Sequence, residues 1–112
     1  MNEARKKRIE ILHEYLIEDP FDRFSKYALS LEYMQSGDTD QALMLLKELL
    51  ELSPDFLAAY YQLGKAYEMK MLVGDAISTY KAGIEVARKQ RNQHTENELK
   101  AALTSLDDSD DN

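Results

Sequence analysis

The sequence predicts an all-α fold, a stack of antiparallel helix pairs built from about six helices in one domain spanning 1–112. Three observations predict it. The two prolines, Pro20 and Pro54, lie 34 residues apart. That offset superposes Tyr27 on Tyr61, Leu29 on Leu63, Tyr33 on Tyr67, Ala42 on Ala76, Lys47 on Lys81 and Glu51 on Glu85. Leu43/Ile77, Leu50/Ile84 and Leu52/Val86 add conservative matches, and a fixed period of this size marks stacked supersecondary units. Second, apolar residues within each period recur at helical spacing. Third, Ser30, Gly64, Ala42 and Ala76 are small where two helices ~8–10 Å apart must approach closely.

The elements follow in order. Residues 3–18 carry Ile9, Leu12, Tyr15, Leu16 and Ile17 at the spacing of a helix that packs on the first repeat. Pro20 ends it, as Pro54 ends a later one, because the residue before proline disfavours helix. The first repeat, 21–54, opens with a helix whose Tyr27, Leu31 and Met34 share one stripe and whose Leu29 and Tyr33 share another. Gly37-Asp38 breaks the pattern, and Asp38 or Thr39 caps a second helix with Ala42, Leu45, Leu46, Leu49, Leu50 and Leu52.

The second repeat, 55–88, repeats this with Leu57, Tyr60, Leu63 and Tyr67, then Ala76, Ile77, Tyr80, Ile84 and Val86. Lys26 stands where this repeat has an aromatic, which predicts less apolar packing at that end of the first one. The turn of the second repeat has Met71-Leu72 in place of Gly37-Asp38. Either Met71 takes a left-handed backbone at roughly 1–2 kcal/mol, or the turn shifts to Gly74. A C-terminal helix over 92–106 follows, with Thr95-x-x-Glu98 as a capping-box signature and a stripe of Leu99, Ala102, Leu103 and Leu106. Such a helix closes the end of a repeat array. Residues 107–112 form an acidic tail expected to be disordered.

Tyr60-x-x-Leu63-Gly64-x-x-Tyr67 followed by Ala76-x-x-x-Tyr80, with Leu29-Ser30-x-x-Tyr33, Ala42-x-x-x-Leu46 and Pro54 one period earlier, resembles the tetratricopeptide repeat (TPR) family. The match covers residues 21–88. Asp19-Pro20-Phe21, Tyr61-Gln62-Leu63-Gly64-Lys65 and Gly83-Ile84-Glu85-Val86-Ala87-Arg88 resemble segments of small stand-alone bacterial TPR proteins. The resemblance implies a right-handed superhelical stack with a shallow concave groove lined by the first helix of each repeat.

Composition narrows the function. Among 112 residues, 21 Asp+Glu exceed 14 Lys+Arg for a formal charge of −7, which argues against nucleic acid. With no cysteine there is no thiolate metal site or thiol nucleophile. No apolar run approaches the ~20 residues needed to cross a bilayer, so no membrane role is expected. Arg5, Lys6, Lys7 and Arg8 do not begin a secretory leader, because charge interrupts the stretch that follows. They read as a solvated first helical turn in a cytoplasmic protein. His13 near Glu10 and His94 near Glu98 are chance pairs on a surface, and no Gly-rich phosphate loop or nucleophile elbow occurs. No catalytic, cofactor or metal residue is assigned, and the chain is expected not to be an enzyme.

Carried over from the family, the groove residues are Phe24, Tyr27, Ala28 and Leu31 in the first repeat. In the second they are Ala58, Tyr61, Gln62, Lys65 and Met69, with Glu68 at the edge. The clamp with which some TPR domains grip acidic chaperone C-termini is missing, since Tyr27, Leu31 and Gln62 stand in its Lys and Asn positions. An aromatic and aliphatic groove with one cation, Lys65, is expected to bind a mostly apolar helix or extended segment of a protein partner. The competing reading makes Phe24 and Tyr27 core residues beneath 3–18. A second function class is self-assembly into a homo-oligomer through exposed array ends.

Overall fold

The computed structural model describes the backbone of residues 2–110 and the side chains of residues 2–106. The described residues form six helices and no strand: α1 (Glu3–Glu18), α2 (Arg23–Ser36), α3 (Thr39–Leu52), α4 (Ala58–Met69), α5 (Val73–Lys89) and α6 (Gln93–Asp110). They divide into two compact units that meet at Pro54 and Asp55 in the chain. In the first, α2 packs against α1 and α3. In the second, α5 packs against α4 and α6.

The core of the first unit is built from Ile9 of α1, Leu29 and Ser30 of α2, and Ala42, Leu46 and Leu49 of α3. Asp22 starts α2: its carboxylate accepts the Ser25 backbone N–H at 3.2 Å and the Ser25 hydroxyl at 2.6 Å. These hydrogen bonds hold its carboxyl below the usual range. Lys26, expected to pack poorly, is buried along its stem with its ammonium 3.6 Å from Glu48. Four methylenes thus fill part of the space that Tyr60 fills one period later, and the charge keeps a partner.

The basic start of α1 is not simply solvated. Arg8 donates Nε to Glu32 of α2 at 2.6 Å, and Arg5 Nε lies 3.4 Å from the same carboxylate. Arg5 Nη2 donates to Gln35 at 3.1 Å. These contacts, led by the Arg8 hydrogen bond, hold the Glu32 carboxyl below its ordinary range. With the 3.0 Å contact between His13 Nε2 and the Tyr33 hydroxyl, they seat α1 on α2.

In the second unit, close approach depends on two glycines. A Cβ added to Gly64 would lie 2.1 Å from Cε1 of Tyr80, and one added to Gly83 would lie 2.7 Å from Cβ of Tyr60. The residues one period before Gly64 and Tyr80 are Ser30 and Leu46, both fully buried. The larger side chain in α5 is therefore matched by the smaller residue in α4. Where α5 meets α6, Glu96 is almost fully buried and binds Arg88 Nε at 3.2 Å and Lys100 Nζ at 2.7 Å.

Three helices end in the same way. Gly37 (φ 85°), Met71 (φ 62°) and Arg91 (φ 56°) are left-handed, and the next residue donates its N–H back across the turn. Those donors are Asp38 to Tyr33, Leu72 to Tyr67 and Asn92 to Ala87, each at 2.9 Å. This is the hydrogen bond of the Schellman motif, which satisfies a free helix carbonyl. The turn after α4 thus stays at Met71, one period after Gly37, and Gly74 lies inside α5.

The capping box expected at Thr95–Glu98 does not form. The left-handed Arg91 starts the next helix sooner, so the Asn92 side chain accepts the Thr95 backbone N–H at 3.0 Å and Thr95 lies in the first turn of α6. Glu98 faces His94 instead, at 3.1 Å. The backbone of α6 continues to Asp110, past residue 106 and into the stretch expected to be a disordered tail. Residues 111 and 112 of that stretch lie outside the described residues.

Candidate functional site

On α2, Phe24, Tyr27, Ala28 and Leu31 are spaced three, one and three residues apart, which places them along one side of the helix. Lys26, Leu29 and Ser30 are buried on another side. Phe24 is 66% exposed, so α1 does not cover it and it is not a core residue. The Arg23 guanidinium sits 5.2 Å from the centre of its ring. Tyr27 and Leu31 are half-buried.

Ala28 opens onto a recess of about 260 Å³ between α1 and α2, with Arg8, Ile11, Leu12 and Glu32 as its other walls. Its floor is aliphatic, and one rim carries the Arg8–Glu32 pair.

On α4, Ala58, Tyr61, Gln62, Lys65 and Met69 likewise share a side. Ala58 is exposed, Met69 is 57% exposed, and Tyr61, Gln62 and Lys65 are half-buried. Two of these residues, Tyr61 and Lys65, join Glu68 in a polar and aromatic cluster with Tyr80 of α5. The Tyr61 ring lies 6.3 Å from that of Tyr80, tilted by 48°. The Lys65 ammonium sits 5.3 Å from the Tyr61 ring centre and 3.6 Å from Glu68. Glu68 in turn accepts the Tyr80 hydroxyl. Burial, followed by the Glu68 carboxylate, pushes that hydroxyl's pKa far upward. Tyr80 therefore stays protonated and donating, and Glu68 is fixed as the acceptor that also orients Lys65.

Tyr80 is the member of this cluster that the groove assignment did not include, and Glu68, placed there at the edge, is its hydrogen-bond acceptor. The signal was present in the sequence: Lys65 and Glu68 are three apart on one helix face, and Tyr80 puts an aromatic ring with a hydroxyl at the place Leu46 holds one period earlier. A buried hydroxyl requires a partner. Residues with the chemistry for catalysis are not brought together. His13 and His94 are both exposed and lie in different units. Among the described residues no three His, Cys, Asp or Glu side chains form a group able to hold a metal ion. No helix of the described residues is long and apolar enough to cross a membrane.

A family model described as TPR repeat matches residues 31–70. The chain is 43% identical to a tetratricopeptide repeat domain protein from Salinibacter ruber whose structure was solved by NMR, over 79% of this chain and 89% of that one, with a TM-score of 0.74. It superposes on the type III secretion translocator chaperone SycD of Yersinia enterocolitica with a TM-score of 0.90 at 11% identity, over 97% of this chain and 76% of that one. The TPR2B domain of yeast Sti1, solved in a complex with pHsp70, gives a TM-score of 0.84 at 15% identity, over 90% of this chain and 81% of that one. The last two similarities show the shared fold. No curated protein matches the chain.

Proposed function

Because the chain belongs to the tetratricopeptide repeat family, we propose that it is a non-catalytic protein-interaction module that holds a peptide or helix of a partner protein on the first-helix faces of its repeats. The contact residues are Phe24, Tyr27, Ala28 and Leu31 on α2, and Ala58, Tyr61, Gln62, Lys65 and Met69 on α4. The observation that carries the reading is the exposure of Phe24. A phenylalanine held two-thirds in water, on a helix whose other side is packed, offers an aromatic anchor to a partner.

Met69 at the far end of the α4 face supports it. On that same face of α4, Lys65 supplies a cation whose direction is set by Glu68 and Tyr61. Such a face suits an apolar segment that carries an acidic group for Lys65. The Sti1 domain was solved with a partner bound and the Yersinia protein is named a chaperone. Both support reading this fold as one that engages other proteins. The lack of the Lys and Asn clamp positions at Tyr27, Leu31 and Gln62 favours a partner other than an acidic chaperone tail.

The test is affinity capture with the wild-type chain and with Phe24→Ala/Lys65→Glu/Met69→Ala, three changes at positions that are not core. Proteins retained by the wild type and lost with a variant of unchanged helicity support the reading. Equal capture by both overturns it.

A further inference from the structure

A different face, on α1, is also built for contact. By the 34-residue period, α1 corresponds to α3 and α5: Arg8 aligns with Ala42 and Ala76, Leu12 with Leu46 and Tyr80, and Tyr15 with Leu49 and Gly83. In α5 these positions make the contact with α4, through Tyr80 on Gly64 and Gly83 on Tyr60. In α1, Tyr15 is 50% exposed, Ile11 is 44% exposed, and Leu12 lines the open recess with Ala28. A helix-packing surface has thus been left without its helix.

The occupant is not a first helix of the usual kind. The close α4–α5 approach depends on Gly83, with the buried Ala76 two turns earlier, and α1 has Tyr15 and Arg8 in their places, too large for a backbone to come as near. What α1 does offer is Ala4, Arg8, Ile11, Tyr15 and Glu18, alternating four and three residues apart, the seam spacing of a coiled coil. Its charges are divided along its length. Arg5, Lys6, Lys7 and Arg8 crowd the first half, which Glu3 and Glu10 bound, whereas Glu14 and Glu18 are in the second half with no Lys or Arg. A helix charged in this way repels a parallel copy of itself and attracts an antiparallel one.

We propose that α1 pairs antiparallel with α1 of a second copy of this chain, forming a two-fold dimer centred near Ile11. Around that centre Ile11 meets its symmetry mate, Glu14 comes opposite Arg8 with Lys7 beside it, and Glu18 comes opposite Ala4, next to Arg5 of the second copy. The aliphatic recess beside Ala28 receives a side chain of the second copy's α1. An isologous pair of this kind buries the same patch on both chains and closes on itself. The inference goes beyond the peptide-binding reading and shares only Ala28 with it.

Analytical ultracentrifugation over roughly 1 μM to 1 mM is the test. The wild type is expected to form a dimer. Ile11→Asp is expected to raise its dissociation constant at least tenfold, and so is Glu14→Lys/Glu18→Lys, whose changed side chains are all exposed. Adding Lys7→Glu, which flanks the Glu14 contact, to the second variant returns part of the charge complementarity and is expected to shift the dissociation constant back toward the wild-type value, which a parallel pairing would not do. The cysteine-free chain permits a second readout. Ile11→Cys is expected to give a disulfide-linked dimer under oxidation, which requires Cα atoms within ~7 Å, and Ala101→Cys on α6 is not. A wild type that stays monomeric throughout, or a dimer indifferent to both the Ile11 and the charge variants, overturns the proposal. The first outcome would assign the α1 face to a helix of another protein.

Discussion

Gly64 of α4 and Tyr80 of α5 occupy one another's space: the position a Gly64 Cβ would take lies 2.1 Å from Cε1 of the Tyr80 ring, which has no exposed surface. The ring cannot swing away, because its hydroxyl is held by Glu68 and its body is enclosed. Gly64→Ala is therefore expected to lower stability by about 3 kcal/mol, the upper part of the usual range for overpacking. The two residues should also be strongly non-additive. In urea titrations, Gly64→Ala/Tyr80→Leu should lose less than the sum of the single changes, since leucine gives the new methyl room.

Met71 is the converse case, a side chain in a conformation that suits glycine. It is left-handed at φ 62° and 87% exposed, so its side chain contributes almost no packing. Met71→Gly is expected to stabilise the chain by about 1 kcal/mol through relief of that strain. Gly74, inside α5 with nothing within 4 Å of an added Cβ, should gain about 0.5–1 kcal/mol as Gly74→Ala. Thermal melts of the two single variants check both signs.

Acid should unfold the protein through three carboxylates. Asp22 is held below the ordinary range by the Ser25 hydroxyl, Glu32 by Arg8 and Glu96 by Lys100. Each has a lower pKa folded than unfolded, so each stabilises the fold above its unfolded value, and the contribution disappears as pH falls through the folded value. Stability should stay level from neutrality down to about pH 5. It should decline below the ordinary values of 4.5 for glutamate and 3.8 for aspartate. Urea midpoints measured from pH 7 to pH 2 test this, and Glu32→Gln should shallow the decline.

The candidate face separates folding from binding at single positions. Phe24→Ala is expected to change stability by less than about 0.5 kcal/mol, because most of the ring is already in water. Leu31→Glu, at a half-buried position, should cost more than Phe24→Ala while leaving the helices formed. Circular dichroism and urea titration of the two variants establish the order.

The repeat made most of the fold legible. Period, prolines and apolar spacing are local patterns, and they placed the helices and the Met71 turn alternative. The fold's longer contacts were not legible in that way. Arg8 and Glu32 are 24 residues apart in sequence, and nothing local distinguishes an arginine that clasps a neighbouring helix from one in solvent. The cap of α6 was misplaced because Thr95-x-x-Glu98 satisfies the motif, while the left-handed backbone of Arg91 that brings Asn92 forward leaves no mark in composition. For the site, Phe24 on α2 was assigned by family correspondence, but whether it packs or projects depends on how α1 lies. The Glu68–Tyr80 contact that orients Lys65 crosses between helices in the same way.

The exchange of sizes between the repeats bears on how two similar sequences in one chain fold without confusion. Ser30 with Leu46 and Gly64 with Tyr80 are each a fitted combination, but the crossed combinations are not. A serine Cβ facing Tyr80 would overlap its ring, and glycine opposite Leu46 would leave a gap. Helices that share one 34-residue pattern are thereby given different keys at this contact. The shuffled hairpin that a tandem repeat invites is therefore penalised at this contact, against whatever the shared pattern contributes.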